Sequence, residues 1–418
     1  MILLDIRFLG GAGEVGRSGF LLEGSKNILL DYGIKLDRKT EYPEQADRVD
    51  AVVISHAHLD HSGYTPTLYN SAFPAAFGTL PTRDLSELLI NDSIKINRLQ
   101  KTGQRFVKRE LRELVNNYIP CNYRNPVEFG EYSVTLHDAG HISGSAITEI
   151  EDRKGRVLAY TGDFKPEPQT LHHGAELVKC DVLITESTYA MKDHPDRTQL
   201  RRKFIDHVKD VMDSNGVALV PVFAVGRAQE MLAMLQEEGL ADRVFLDGMA
   251  KAATEIVMDY HGFIDNPQVL QKAMSNARWI QTPRDRSHAL GGGTIILTTA
   301  GMLNGGPVLN YITKLNRNSH IFLTGYQAEG TNGRNLIEGR PLEIDERTVR
   351  IKTPFSFYDF SAHAGRTDLF DYIRKAEPET VICVHGDKDN SEKMSEELKL
   401  EGFDAHAPKI GERMSIEF

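Results

Sequence analysis

Apolar and β-branched runs of strand length punctuate the first half of the chain. MILLDIRF, FLLE, NILLD and VDAVVIS are each bounded by Gly, Asp or Ser, and short apolar runs between turn formers predict strands. Helical spacing follows over 83–99, where Leu85, Leu88, Leu89 and Ile96 are placed on one side, and again over 108–117. Strands resume at 132–137, 146–150, 157–161 and 182–185. Past residue 190 the rhythm changes to alternating helix and strand. Phe204, Ile205, Val208, Val211 and Met212 fall at helical spacing, VALVPVF has the unbroken apolar character of a buried strand, and GRAQEMLAMLQEEG is a second amphipathic helix ended by Gly239. VFL, a helix over 250–260, ARWIQT, TIILTTA and SHIFLTGY continue the alternation, which predicts a mainly parallel sheet covered by helices. The Gly-rich segments GGG, GMLNGGP and GYQAEGTNGR read as loops at strand ends. After residue 352 the first style returns: FSAHAGR before a helix, the strand TVICV, a helix over 391–400 and a terminal strand.

The strongest chemical signal lies at the end of one of these strands. In VVISHAHLDHSG an apolar run stops at Ser55, and His56, His58, Asp60 and His61 follow within six residues. Alternate residues at a strand end can project toward a common point, so His56 and His58 suit one cation and Asp60 and His61 a second beside it, with imidazole and carboxylate as zinc-type donors. LLDYG, LHDAGHISGSA, LAYTGDF and VICVHGD repeat the form, an apolar strand running into Asp31, His141, Asp163 and His385. Each of these alone reads as a turn residue. Together they supply what a two-metal hydrolase needs, since ions about 3.5–4 Å apart require a bridging carboxylate and further ligands.

Composition narrows the chemistry. The chain has 418 residues, 40% hydrophobic and 26% charged, an ordinary globular balance long enough for two domains. Its 49 basic and 59 acidic residues give a net charge of −10, which excludes a polycation that coats nucleic acid or anionic lipid. No run reaches the ~18 apolar residues of a membrane span. The opening MILLDIRFLGGAGE lacks the basic start and long apolar core of a signal peptide, so a cytoplasmic location is expected. Three widely spaced cysteines exclude a disulfide framework and a thiolate zinc site, which leaves metal binding to the 15 histidines and the carboxylates. Gly11-Ala-Gly13-Glu-Val-Gly16 matches the dinucleotide fingerprint. That fingerprint requires a helix next, and RSGFLLEGSKNILLD reads as two strands, so nicotinamide binding is set aside.

The ordered series Asp31, His56-x-His58-x-Asp60-His61, His141, Asp163 resembles the signature of the metallo-β-lactamase fold. ITESTYA, FSAHAG and VHGD are similar to the three further motifs of its β-CASP nuclease branch, and PVFAVGRAQEML, TTAGML and GYQAEGTNGR to loops of the inserted β-CASP domain. SHAHLDHSG and ESTY look closer to the archaeal cleavage and polyadenylation specificity factor type than to RNase J.

The resemblance covers nearly the whole chain. It implies an α/β architecture, an αββα metallo-β-lactamase domain built from 1–190 and 354–418, with a β-CASP domain, 191–353, inserted and the active site in the cleft between them. It implies two Zn²⁺ ions: His56, His58 and His141 on one, Asp60, His61 and His385 on the other, and Asp163 bridging. Asp31 would orient a ligand histidine or the bridging hydroxide, and Glu186 would keep His363 protonated as a proton donor or phosphate clamp. Many relatives have Asp directly after the position of His363, where this chain has Ala364-Gly365. The implied activity is RNA phosphodiester hydrolysis leaving 3′-hydroxyl and 5′-phosphate ends, endonucleolytic in mRNA 3′-end style. A 5′-3′ exoribonuclease, a catalytically silent RNA-binding subunit and a small-substrate hydrolase such as a thioesterase are the alternatives. A homodimer or an assembly with related β-CASP proteins stays open. Basic runs at Arg105, Lys108, Arg109 and Arg112, at Arg197, Arg201, Arg202 and Lys203, and at Arg278, Arg284 and Arg286 read individually as solvated faces. Arg227 and Arg334 are better candidates for RNA backbone contacts, and Tyr326 is either a base-stacking platform or a buried strand-end tyrosine.

Overall fold

Side chains that alternate along each strand allow one sheet to serve two cores. In Val182–Glu186, Val182 and Ile184 face one apolar cluster and Leu183 another; in Thr380–Val384, Ile382 and Val384 face the first and Val381 and Cys383 the second. The computed structural model describes residues 3–36, 40–100, 103, 105–344 and 347–418; Met1 and Ile2, on which the first expected strand began, lie outside the described residues. Two units are distinguished, one of Met1–Pro168, His172–Asp193 and Ala362–Phe418, the other of Gln169–Leu171 and His194–Ser361.

Among the described residues the first unit holds two seven-stranded sheets. Leu4, Ile6, Phe8, Phe20 and Ile28 from one and Val134, Leu136, Ile150, Tyr160 and Ile184 from the other form a single buried cluster, so the sheets pack face to face. Helices cover both outer faces. Ile90, Ile94, Leu111 and Leu114 of Leu80–Gln100 and Lys108–Asn116 pack on Leu21, Leu29 and Val52, while Leu369, Phe370, Ile373, Met394 and Leu398 of Arg366–Ala376 and Lys388–Leu400 pack on Ile147, Leu183 and Val381. These layers are the αββα arrangement. Ile96, expected on the apolar side of its helix, is 43% exposed. The face packed on the sheet carries Ile90 and Ile94, about 40° apart round the helix, and at 100° per residue Ile96 falls on the side opposite Ile94.

The second unit contains one six-stranded sheet in the order Arg278–Trp279, Val244–Asp247, Thr294–Thr298, Val217–Pro221, His320–Leu323, Phe355–Phe357. Every pairing in it is parallel, as the alternating rhythm predicts. Pro267–Asn276, Pro283–Ala289 and the short Leu309–Ile312 escaped the periodicity reading, although the first two start on proline and Pro283–Ala289 is capped by Thr282. GYQAEGTNGR is not wholly a loop: Thr331 caps a helix, Asn332–Ile337, that begins inside it. Leu219, Ile296, Ile321 and Leu323 centre this unit's own core. Among the described residues no helix is long and apolar enough to cross a membrane.

Ile184 is fully buried between the two sheets of the first unit. Ile184→Ala should cost about 2–5 kcal/mol, seen as a lower urea unfolding midpoint; an unchanged midpoint would show that the sheets do not pack through this position.

Candidate metal centre

The residues singled out by spacing meet at one end of the sandwich because parallel neighbours bring their strand ends into line. Tyr160 pairs with Ile184 and Ile184 with Ile382 across three adjacent parallel strands. The chain therefore delivers Asp163, Glu186 and His385 just beyond the same edge. Across the sandwich, Asn27–Leu30 and Ala51–Val53 are likewise parallel and end at Asp31 and, past Ser55, at His56. His58 then caps the short helix Leu59–Ser62, which carries Asp60 and His61. Gly33 is needed for this helix to settle, because a Cβ there would lie 1.8 Å from the Asp60 carbonyl oxygen.

Two groups of donors result. In the first, His56 Nε2 lies 3.1 Å from His58 Nδ1, and His58 Nδ1 lies 3.2 Å from His141 Nε2. Asp163 Oδ2 stands 3.5 Å from His56 Nε2 and 3.8 Å from His141 Nε2. In the second, Asp163 Oδ1 stands 3.2 Å from His61 Nε2 and 3.5 Å from His385 Nε2. Asp60 Oδ2 completes this group, 4.0 Å and 3.8 Å from the same two nitrogens. The two oxygens of Asp163 thus face different groups. Within each group the donor atoms lie within 4.8 Å of one another.

These distances fit small cations. Four ligands at about 2.0–2.1 Å around a tetrahedral ion are separated by roughly 3.3–3.4 Å. The hydrogen bonding fits as well. His141 Nδ1 donates to the Ala362 carbonyl at 2.8 Å and His61 Nδ1 to Asp31 Oδ2 at 2.7 Å, so in the neutral rings both Nε2 atoms present lone pairs inward. His61 Nε2, His385 Nε2 and Asp163 Oδ1 are buried and make no hydrogen bond, an arrangement that burial penalises unless a cation satisfies them.

Electrostatics sort the groups. Burial, together with the neighbouring rings, holds His56 and His141 well below the usual histidine range and so in the neutral form that binds metal. Burial also opposes charge on His61 and on Asp163, yet each overcomes it. Asp163 and Asp31 raise His61, while His61, His385 and His363 hold Asp163 well below the carboxylate range.

Asp31 is the support beneath this cluster. Fully buried and in the left-handed region at φ 57°, it accepts from Ser55 N and Ser55 Oγ at 2.7 Å each, from Tyr160 Oη at 2.8 Å and from His61 Nδ1. Of the two tasks expected of it, holding a histidine is the one visible in the structure. On the opposite flank Glu186 Oε1 accepts from Phe164 N at 2.9 Å and Oε2 from His363 Nδ1 at 2.9 Å. Despite burial, the Glu186 and Asp163 carboxylates push His363 up to about 9. Its Nε2 lies 3.8 Å from Asp163 Oδ2. The position after it, where relatives often carry Asp, is occupied by Ala364, fully buried in the core, and Gly365, which caps Arg366–Ala376.

Sequence reasoning missed Ser18, Ser55 and Tyr160. Ser55 and Tyr160 adjoin the motif residues, which was the available signal; Ser18 follows the glycine segment, whose dinucleotide reading alone was set aside. The expected RNA contacts belong to the second unit. Arg227 opens the helix Arg227–Glu237, Arg334 pairs with Glu338 at 2.7 Å, and Tyr326 is 57% exposed, which removes the buried alternative for it.

Three family descriptions match the chain: a Beta-lactamase superfamily domain over residues 26–241, a Beta-Casp domain over 228–336 and a Zn-dependent metallo-hydrolase RNA specificity domain over 348–408. Probable RNase MJ4 of Methanocaldococcus jannaschii is 37% identical over 99% of this chain and 100% of its own length. RNase aCSPSF2 of Saccharolobus solfataricus is 36% identical over 98% of this chain and 85% of its own. Transcription termination factor FttA of Methanocaldococcus jannaschii is 34% identical, matching 92% of this chain and 67% of its own length. A solved structure of a protein of unknown function from Enterococcus faecalis V583 shares the fold, with a TM-score of 0.62 at 14% identity, covering 99% of this chain and 100% of that one. Fold and donor set define a metal-dependent hydrolase. The chain belongs to the β-CASP ribonucleases of the archaeal cleavage and polyadenylation specificity factor type, whose substrate is RNA.

Asp31→Ala would strip four donors of their acceptor, and each buried unsatisfied group costs about 1–3 kcal/mol. The expected outcome is a loss of at least about 3 kcal/mol of stability in denaturant titration, with Tyr160→Phe costing only about 1 kcal/mol. Equal effects for the two variants would contradict the four-donor account.

Proposed function

We propose that the chain is a two-zinc endoribonuclease that hydrolyses internal RNA phosphodiesters, leaving 3′-hydroxyl and 5′-phosphate ends. The observation that carries this reading is the division of the Asp163 carboxylate, one oxygen toward His56, His58 and His141 and the other toward Asp60, His61 and His385. Zn²⁺ held by these two groups would lower the pKa of water toward ~7 and offset the charge of the phosphate. The cysteine-free donor set suits such a hydrolytic site. Asp31 keeps the His61 ring turned with Nε2 inward. Glu186, held from behind by Phe164 N, keeps the proton on His363 Nδ1, so His363 carries charge near neutral pH. His363 is partly exposed, with 22% of its side chain accessible, so its Nε2–H can reach a bound phosphodiester and protonate the leaving oxygen. The relatives named as ribonucleases support the substrate.

The mode of cleavage is tested by incubating the full chain and Zn²⁺ with a circular RNA and a 5′-monophosphorylated linear RNA, both labelled internally. Cleavage of the circle is expected. Mononucleotides from the linear RNA alone would establish 5′ exonuclease action instead, and no cleavage of either with metal content verified would mark a silent RNA-binding subunit.

Roles are separated by two substitutions. His58→Ala should abolish cleavage and lower bound zinc. His363→Ala should lower the rate about 10²–10⁴-fold, the contribution of a positioned acid, with zinc content unchanged. Loss of a full zinc equivalent in the His363 variant would make it a ligand and defeat its assignment as proton donor.

A further inference from the structure

The glycine segment that imitates a dinucleotide fingerprint has a different task. After Gly11-Ala-Gly13-Glu-Val-Gly16 the chain enters the strand Gly19–Glu23, not a helix, and folds back on itself. The turn leaves no room for side chains: a Cβ on Gly10 would lie 2.0 Å from the Arg17 carbonyl oxygen, and one on Gly11, at φ 70°, would meet the Ser18 Cα at 3.0 Å. What this close turn presents is Ser18, fully buried.

Ser18 touches both flanks of the second donor group. Its Oγ lies 2.8 Å from His385 Nδ1, its amide donates to the Asp60 carbonyl at 2.8 Å, and its carbonyl accepts from Gly33 N at 2.9 Å. Gly11 adds a fourth tie, its carbonyl accepting from the His385 amide at 2.6 Å. His385 needs such support. Its backbone is left-handed at φ 45°, a conformation that costs a residue with a Cβ, and its carbonyl is secured by Thr188 Oγ1 at 2.9 Å. The first group leans on other parts of the chain, His56 on Ser55 Oγ at 3.1 Å and His141 on the Ala362 carbonyl. A neutral imidazole that binds a cation through Nε2 must carry its proton on Nδ1, and a partner there fixes both tautomer and ring orientation.

We propose that Ser18 is a positioning residue for one cation of the pair, the one between Asp60, His61, Asp163 and His385, and that the glycine turn exists to place it. The proposal rests on the two-cation reading of the site. Ser18 Oγ accepts a hydrogen bond from His385 Nδ1–H, while the Ser18 amide anchors the Asp60 backbone whatever the side chain, so losing the hydroxyl weakens the second subsite through His385 and leaves the first alone.

The test is Zn²⁺ binding to the metal-free full chain by competition with a chromophoric chelator, repeated with Co²⁺ and its visible absorption. The unsubstituted chain should bind two equivalents. Ser18→Ala should bind the first with unchanged affinity and the second about 10–100-fold more weakly, the usual effect of removing a ligand's hydrogen-bond partner. Ser18→Gly, which also lacks the hydroxyl, should reproduce it. Two equivalents of unchanged affinity in both variants would overturn the role of Ser18 while leaving the two-cation reading intact. Weakening of both equivalents together would overturn it too, since that is damage to the whole pocket. A single equivalent in the unsubstituted chain would overturn the two-cation reading and this proposal with it.

Discussion

One buried carboxylate is shared between two sets of imidazoles, and the geometry of the first unit follows from that sharing. Asp163 is 2% exposed and its two oxygens point to different histidine groups. A carboxylate so enclosed is costly unless positive charge stands close on both sides. The histidines around it, His61 foremost, hold Asp163 well below the usual carboxylate range against its burial. The same enclosure leaves Asp163 Oδ1, His61 Nε2 and His385 Nε2 without hydrogen bonds. Bound cations would satisfy these buried atoms.

The sandwich makes the cluster possible by separating two demands. Between the sheets, Leu4, Phe8, Ile150 and Ile184 bury apolar surface and hold the strands in register. At the strand ends the backbone leaves regular structure, and two residues sit there in left-handed conformations, Asp31 at 57° and His385 at 45°. Strain at those positions is sustained by partners around them: Ser55, Tyr160 and His61 for Asp31, and Gly11, Ser18 and Thr188 for His385. Rigid strands below and over-determined loops above fix the donor groups in place.

Charge in the second unit follows a different logic. Basic runs on its helices read in sequence as solvated faces. Arg201 instead pairs with Glu237 and Glu238 at 2.7 Å each, Arg197 reaches Glu230 at 3.3 Å, and Arg286 grips the buried Asp247 at 2.8 Å. These partners lie about 30 to 40 residues away along the chain, beyond the reach of any local pattern. Pairing neutralises these arginines in place, and a run of arginines says little about where RNA binds until its partners are known.

The amino-acid sequence by itself determined which side chains were available and which elements carried them. Apolar runs ending in His56, Asp163 and His385 marked strand ends, and unbroken apolar strands such as Val217–Pro221 required a sheet buried on both faces. It also named the donors that converge, because histidines crowded after a buried strand have few other uses. Only the tertiary structure decided how Asp163 divides its oxygens, that Asp31 serves His61, and that a serine 367 residues away holds the ring of His385. Those relations are set by which strands lie side by side and by turns of a few residues at φ values that no periodicity encodes. Spacing along a chain reports local projection, whereas the tautomer of a ring and the satisfaction of a buried oxygen depend on contacts that exist only once distant segments have packed.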